Sequence, residues 1–379
     1  MAGIYIHIPF CRSKCAYCGF YSVPSVKHKP EFLVNLKQEI TQRKDYLHGE
    51  PVHTVYFGGG TPTILSIDEL KSIFTQLHET FEIDPQAEIT LEANPDTLSL
   101  EYLEGLRQLG FNRLSIGIQS FFDNDLRYLS RKHNAAHARE CVGLAKKAGF
   151  GNINLDLIYG LPTSDADQWN RNLDLFFEMD VPHLSAYALT LEPNSILTKL
   201  IEQGKAAPVN EDDAVRDYRI LCQRAAENGF VHYEISNFCK PQMQSRHNTS
   251  YWFGTPYAGF GPSAHSYDGT SRQWNNNVIA SEAEPATSEA WWKQTNLTLE
   301  TLSPEQIYDE YVMLRLRTMW GIDLKYMKRE MGERFSNYCE QQAQPLISQG
   351  RLSQTREFLY LTDEQMLFAD GVAAELFWS

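Results

Sequence analysis

Three cysteines fall within eight positions of the stretch CRSKCAYCGF, as Cys11, Cys15 and Cys18, with the spacing C-x3-C-x2-C. Iron–sulfur clusters are held by cysteine thiolates, usually four of them. Three ligands on a cluster of four irons leave one iron with an open coordination position, and an open position is where a substrate or cofactor binds, as at catalytic zinc sites. The alternative is a zinc knuckle with His7 as fourth ligand. Zinc ligands usually come as two spaced pairs, and the other cysteines, Cys141, Cys222, Cys239 and Cys339, are scattered. Cys141 and Cys222 lie in apolar helical patterns and read as core.

Other residues with chemical reach follow in order. GGGTPT (58–63) supplies glycines that let a ligand approach the backbone and consecutive amides that can hold a carboxylate. Glu92, Gln119, Arg131 and Asp156 each read singly as strand-end or cap residues. RHNTSYWFG (246–254) sets His247 beside Tyr251 and Trp252, which read in isolation as a loop histidine and two core aromatics. His265, in GFGPSAHSY, and Arg246 are further candidates.

These residues need a scaffold. Six β-rich runs (GIYIHIP, TVYFGGG, EITLEAN, RLSIGIQ, NINLDLIYG and HLSAYALTL) alternate with amphipathic stretches of helical length. Strand–helix repetition implies a parallel sheet with helical crossovers, either an incomplete barrel or an open doubly wound sheet. In both, ligands gather at the carboxyl ends of the strands. Cys11, the glycines, Glu92, Gln119 and Asp156 are expected at or just past such ends. Ser66 and Glu69 form a capping box, and Gly110 and Gly149 stop helices. Three parts are expected: the βα region 1–230, an irregular connecting region 231–300, and a small domain 301–379 of three helices and a hairpin, winged-helix-like.

The chain has 379 residues and a net charge of −14, which argues against nonspecific nucleic-acid binding. No run approaches the roughly 18 apolar residues of a membrane span, and the start MAGIYIHIPF lacks the pattern of a signal peptide. Seven cysteines, three of them crowded, suit a reducing compartment and metal chemistry, so a cytoplasmic protein is expected.

The cysteine spacing after YIHIPFC, with the ordered matches that follow, resembles the radical S-adenosylmethionine superfamily, and within it the oxygen-independent coproporphyrinogen III oxidases and their relatives. The resemblance runs over nearly the whole chain. It implies an incomplete (β/α)6 TIM-like barrel and a C-terminal domain of the oxidase type. It also implies a [4Fe–4S] cluster on Cys11, Cys15 and Cys18, whose fourth iron takes the amino and carboxylate groups of S-adenosylmethionine. Tyr5, Tyr17, Gly59, Gly60, Thr61, Glu92, Gln119, Arg131, Asp156 and Ala188 match positions that contact S-adenosylmethionine, with Glu92 suited to the ribose hydroxyls. Tyr5 and Arg131 are the candidate catalytic residues. Whether one or two S-adenosylmethionine molecules bind stays open.

The oxidases carry a fourth cysteine two residues past the third, where this chain has Phe20. That departure, with the intact His-Asn-x-x-Tyr-Trp pattern, resembles a haem-chaperone branch of the same family. It implies haem on His247 as axial ligand, with Tyr251 and Trp252 against the macrocycle. From its charge alone, Arg246 is a candidate to meet a propionate. The partners implied are haem and haem-accepting respiratory proteins, met at the inner face of a membrane, with a homodimer left open. Two further readings are an oxidase that converts propionates to vinyls by radical decarboxylation, and a radical enzyme for another small molecule.

Overall fold

A computed structural model describes residues 2–193, 195–276 and 297–379. The βα region runs β1 (Ala2–Ile8), α1 (Lys29–Gln42), β2 (Val52–Gly59), α2 (Ile67–Thr80), β3 (Ile83–Ala93), α3 (Leu100–Gln108), β4 (Arg113–Gln119), α4 (Asp123–Tyr128), α5 (Ala135–Lys147), β5 (Asn152–Tyr159), α6 (Ala166–Glu178), β6 (His183–Ala188), α7 (Ile196–Glu202) and α8 (Glu211–Glu227). After it come β7 (Val231–Glu234), β8 (Asn237–Cys239), α9 (Arg246–Trp252), β9 (Tyr257–Phe260), β10 (His265–Tyr267), β11 (Ser271–Asn275) and β12 (Leu297–Thr301).

Strands β1 to β6 pair in parallel and in sequence order. Among the described residues β1 and β6 do not pair with each other, so the barrel is incomplete, as expected. The region expected to be irregular instead extends the sheet at both edges: β8 lies antiparallel on β6, and β9 parallel on β1, followed by β10, β11 and β12. Its strands are three to five residues long, too short for periodicity to reveal. Part of that region, 277–296, lies outside the described residues.

Each parallel strand alternates. Ile4, Ile6, Val55, Phe57, Leu91, Leu114, Ile116, Ile153, Leu155, Leu157 and Leu184 join one core beneath the helices, all but shut off from solvent. The intervening residues face the lumen and bond from strand to neighbouring strand: Tyr56 to Glu92, Asn154 to Ser115 and Ser185, and His183 to Asn154. A barrel interior is ordinarily packed with Val, Ile and Leu. This one is lined with polar side chains, so its fold leaves the lumen for a ligand.

The helix signals hold. Ser66 and Glu69 close the capping box on α2, and Gly110 and Gly149 take the left-handed φ values of 99° and 88° just past α3 and α5. The C-terminal part packs α10 (Pro304–Leu316), β13 (Ile322–Asp323), α11 (Leu324–Glu330), α12 (Glu333–Ser348), β14 (Ser353–Gln354), β15 (Phe358–Tyr360), α13 (Asp363–Met366) and α14 (Ala369–Leu376) around its own core of Tyr308, Val312, Met327, Cys339 and Leu359. It holds one strand and two helices more than the three helices and hairpin expected. It docks on the barrel through Met319 N–H to Tyr233 O at 3.0 Å and His232 Nδ1 to Asp363 at 2.9 Å.

Candidate functional site

At the carboxyl end of the strands the loop after β1 brings all three cysteines to the mouth of one cavity of about 550 Å³. Cys11, Cys15, Tyr17, Cys18, Gly59, Gly60, Thr61, Glu92, Gln119, Arg131, Asp156 and Ala188 all line it. Tyr5 does not. Its ring lies behind Gly58 and stacks on Tyr56, and its hydroxyl bonds His7 Nδ1 at 3.0 Å.

The three thiols are free. Among the described residues no three His, Cys, Asp or Glu side chains are grouped closely enough to share a single metal ion. His7 Nε2 is instead 3.1 Å from the Tyr21 carbonyl. Thr61 Oγ1 donates to Cys11 Sγ at 3.6 Å and Arg131 Nη1 to Cys15 Sγ at 3.5 Å. A Cβ on Gly60 would lie 2.6 Å from Phe10 O and 3.0 Å from Cys11 Sγ, so only glycine lets the β2 loop close over the cysteine. Burial raises the Cys11 and Cys18 thiols above their ordinary pKa, so iron bound there displaces protons. Three unpaired thiols, each at the cavity and two of them taking N–H or O–H donors, fit an iron–sulfur cluster.

Below the cysteines lie the carboxylates. Glu92 accepts from Tyr56 Oη at 2.8 Å and from the Gly59 amide at 3.1 Å. Burial lifts its pKa to about 7, against the Tyr56 hydrogen bond, which lowers it. Asp156 accepts from Asn154 at 2.7 Å and Ser115 at 3.3 Å, and burial lifts it to about 6. Asp156 was expected at a strand end. It is instead in the interior of β5, facing the lumen, so it forms the floor of the cavity and not its rim. Gln119 ends β4 with φ 68°, a left-handed conformation uncommon for a residue other than glycine, at a register shift against β5. Arg131 Nη2 donates to Asn94 Oδ1 and to Gly117 O, both at 2.7 Å, and Asn94 Nδ2 donates to Thr61 at 3.1 Å. Asn94 therefore ties the Arg131 and Thr61 sides of the mouth together. It was missed because it reads as a turn residue before Pro95. Phe20, at the rim, is 73% exposed.

The second constellation does not join the first. Residues Arg246–Trp252 form α9, which closes the opposite, amino-terminal end of the lumen. Glu88 accepts from the amides of Arg246 and His247, each at 3.0 Å, and Ser245 caps the helix through Asn248 N–H. His247 is 1% exposed; Nδ1 is 2.8 Å from Thr54 Oγ1, Nε2 is 2.7 Å from Tyr251 Oη, and the ring stacks on Tyr56 at 5.0 Å. Burial, then the charge of Arg113, lowers its pKa to about 3. Trp252 is half-buried. The arrangement expected of a haem ligand with two aromatic walls is thus not displayed here, because both imidazole nitrogens are engaged inside the barrel. Arg246 Nη1 donates to Gln86 O at 2.8 Å. His265 stacks on Trp274 and does not line the cavity.

Fold and mouth together define a radical S-adenosylmethionine protein. Residues 5–176 match the radical SAM superfamily and residues 302–368 the HemN C-terminal domain. The coproporphyrinogen III oxidase HemN of Escherichia coli superposes with a TM-score of 0.83 at 23% identity, over 99% of this chain and 90% of that one. At that identity the likeness speaks for the fold. Two proteins named heme chaperone HemW are nearer in sequence: that of Mycobacterium tuberculosis (strain ATCC 25618 / H37Rv) is 32% identical over 99% of this chain and 94% of its own, and that of Bacillus subtilis (strain 168) is 31% identical over 98% of each. The chain belongs to the HemW family. The superfamily implies a [4Fe–4S] cluster and S-adenosylmethionine. Among the described residues no helix is long and apolar enough to cross a membrane.

Proposed function

We propose that this protein is a haem chaperone that holds a [4Fe–4S] cluster and S-adenosylmethionine in the barrel mouth, takes up haem through α9, and passes it to haem-accepting respiratory proteins. The observation that carries this is similarity along nearly the full chain to relatives named for that role. Phe20 in place of a fourth cysteine and the intact pattern from His247 to Trp252 support it.

In the mouth, Cys11, Cys15 and Cys18 would hold the cluster, and the cluster would supply an open iron for the methionyl group. Thr61 and Arg131 donate toward the sulfurs, and such donors tune a cluster's potential. Glu92, which lines the cavity, would accept the ribose hydroxyls, above a floor formed by Asp156.

For haem, His247 becomes available only when α9 releases Thr54 and Glu88. Binding then draws on a minor open state, and the apparent affinity falls by the fraction of chains that are open. Haemin titration followed by the Soret band, in the wild type and in His247→Ala, tests this reading. A loss of the band shift in the variant supports it, and identical spectra remove it.

The ring of residues at the mouth, filled at every matched position but Tyr5, favours one second reading, the anaerobic conversion of coproporphyrinogen III. Vinyl product from reconstituted protein with S-adenosylmethionine would establish it and displace the chaperone reading.

A further inference from the structure

Arg113 opens β4, and its side chain enters the lumen on the same face as Ser115 and Gln119. It is 1% exposed, and none of its three guanidinium nitrogens donates to a protein atom. Its register neighbours on the flanking strands, Thr90 and Asn152, also bury an oxygen without a partner. A guanidinium out of water and without a hydrogen bond is strongly unfavourable unless negative charge nearby compensates it. Here the negative charge is one layer up. Glu92 pairs in register with Ser115, and Ser115 donates to Asp156. The field of Arg113 lowers the pKa of both carboxyls against the desolvation that raises them. No ion pair within 4.0 Å joins Arg113 to either, so it acts through space.

We propose that Arg113 is a positioning residue of the S-adenosylmethionine site: sealed beneath Glu92 and Asp156, its unpartnered guanidinium supplies the positive field that keeps both carboxylates charged as acceptors for a nucleoside's hydroxyls. This rests on reading the upper lumen as the S-adenosylmethionine site. The other titratable groups that face the two carboxyls are phenols: Tyr56 on β2, Tyr5 on β1, Tyr187 on β6, Tyr251 on α9 and Tyr17 on the cysteine loop, all of which burial holds protonated. The imidazoles that feel the charge of Arg113, His183 on β6 and His247 on α9, are both held neutral by burial. Among the described groups that touch this layer, Arg113 therefore carries the balancing charge, while Arg131 is turned toward Cys15 and Asn94.

The test is S-adenosylmethionine affinity against pH, on reconstituted protein, for the wild type, Arg113→Met, Arg113→Gln and Arg113→Lys. Removing the charge is expected to weaken binding about tenfold at pH 7, one pKa unit's worth, with the deficit shrinking below about twofold by pH 9, where the carboxyls ionise unaided. Arg113→Lys is expected to recover most of the loss. An equal loss at every pH, or a lysine variant as weak as the methionine one, would show a packing role and overturn the proposal.

A second readout needs no ligand. The infrared band of protonated carboxyl, assigned by Glu92→Gln and Asp156→Asn, should grow at pH 7 in the folded Gln or Met variant. An unchanged band overturns the proposal. A wild type that binds no S-adenosylmethionine at any pH defeats the superfamily reading of the mouth, and the infrared band then decides the role of Arg113 alone.

Discussion

The two ends of the lumen share six strands and one polar inner face, yet they are finished in opposite ways. At the carboxyl end the strands run into loops, a cavity of about 550 Å³ stays open, and Glu92 and Asp156 are held with pKa values near 7 and 6. At the amino end α9 fills the opening, and His247 has a partner at both nitrogens. The first end is preorganised for a ligand and is electrostatically costly without one. The second is satisfied as it stands and must open before it can bind anything. On the proposed function, S-adenosylmethionine would meet a ready site, whereas haem at His247 would compete with the protein's own contacts.

The comparison can be broken at several places. Cys15→Ala should remove nearly all cluster iron and sulfide, because the three thiolates proposed as ligands leave none to spare, while α9 and the haemin response stay intact; iron and sulfide analysis with a parallel Soret titration checks both. Loss of the two together would mean that the ends are not independent.

Glu92→Gln is the next largest. The folded pKa lies above the ordinary carboxylate value of 4.5, so the charged group opposes folding increasingly as pH rises from about 4.5 to about 7, and its cost is fully present above that. The variant should therefore be more stable than the wild type by about 1–3 kcal/mol at pH 8, with no gain at pH 4, while S-adenosylmethionine affinity collapses. Thermal melts at the two pH values, set beside binding, read both. A destabilised variant at pH 8 would show that Glu92 is a structural anchor.

Glu88→Gln works on the other end. It weakens two charge-assisted bonds to the α9 amides, worth about 1.5–3 kcal/mol together with their partners. Exchange of the Arg246 and His247 amides should speed up about tenfold or more, and haemin should bind more tightly by a similar factor. Thr54→Val removes one neutral bond to His247, and the same two measurements should move about threefold to fivefold in the same direction. Weaker haemin binding in these variants would mean that the closed arrangement is itself the binding form.

The carboxyl end was legible in the sequence because its signals are local and ordered. Three cysteines at short spacing, a run of glycines and Glu92 fall on successive strand ends, and the topology of a parallel sheet brings successive ends together. Asp156 was assigned to the right cavity but the wrong depth, since alternation tells which face a residue takes and not how far down the lumen it sits. Arg113 went unread because an arginine at a strand's start ordinarily reaches solvent; the alternation of RLSIGIQ held the hint that it points inward. The amino end was harder. The spacing of His247 and Tyr251 at i and i+4 announces that they share a helix face, but nothing in it says that the face turns into a barrel. That depends on Glu88 and Thr54, far off in sequence and ordinary in type. The short strands β9 to β12 were hidden for the same reason, being fixed by pairing with a distant edge.

Backbone amide exchange across residues 246–252, with and without a saturating amount of haemin, tests most directly the claim that one end stands open and the other must be unlatched. The account predicts that the Arg246 and His247 amides, bound to Glu88 in the free protein, lose protection as the Soret band develops. A fully developed Soret band with those amides as protected as before would contradict it and place haem elsewhere on the molecule.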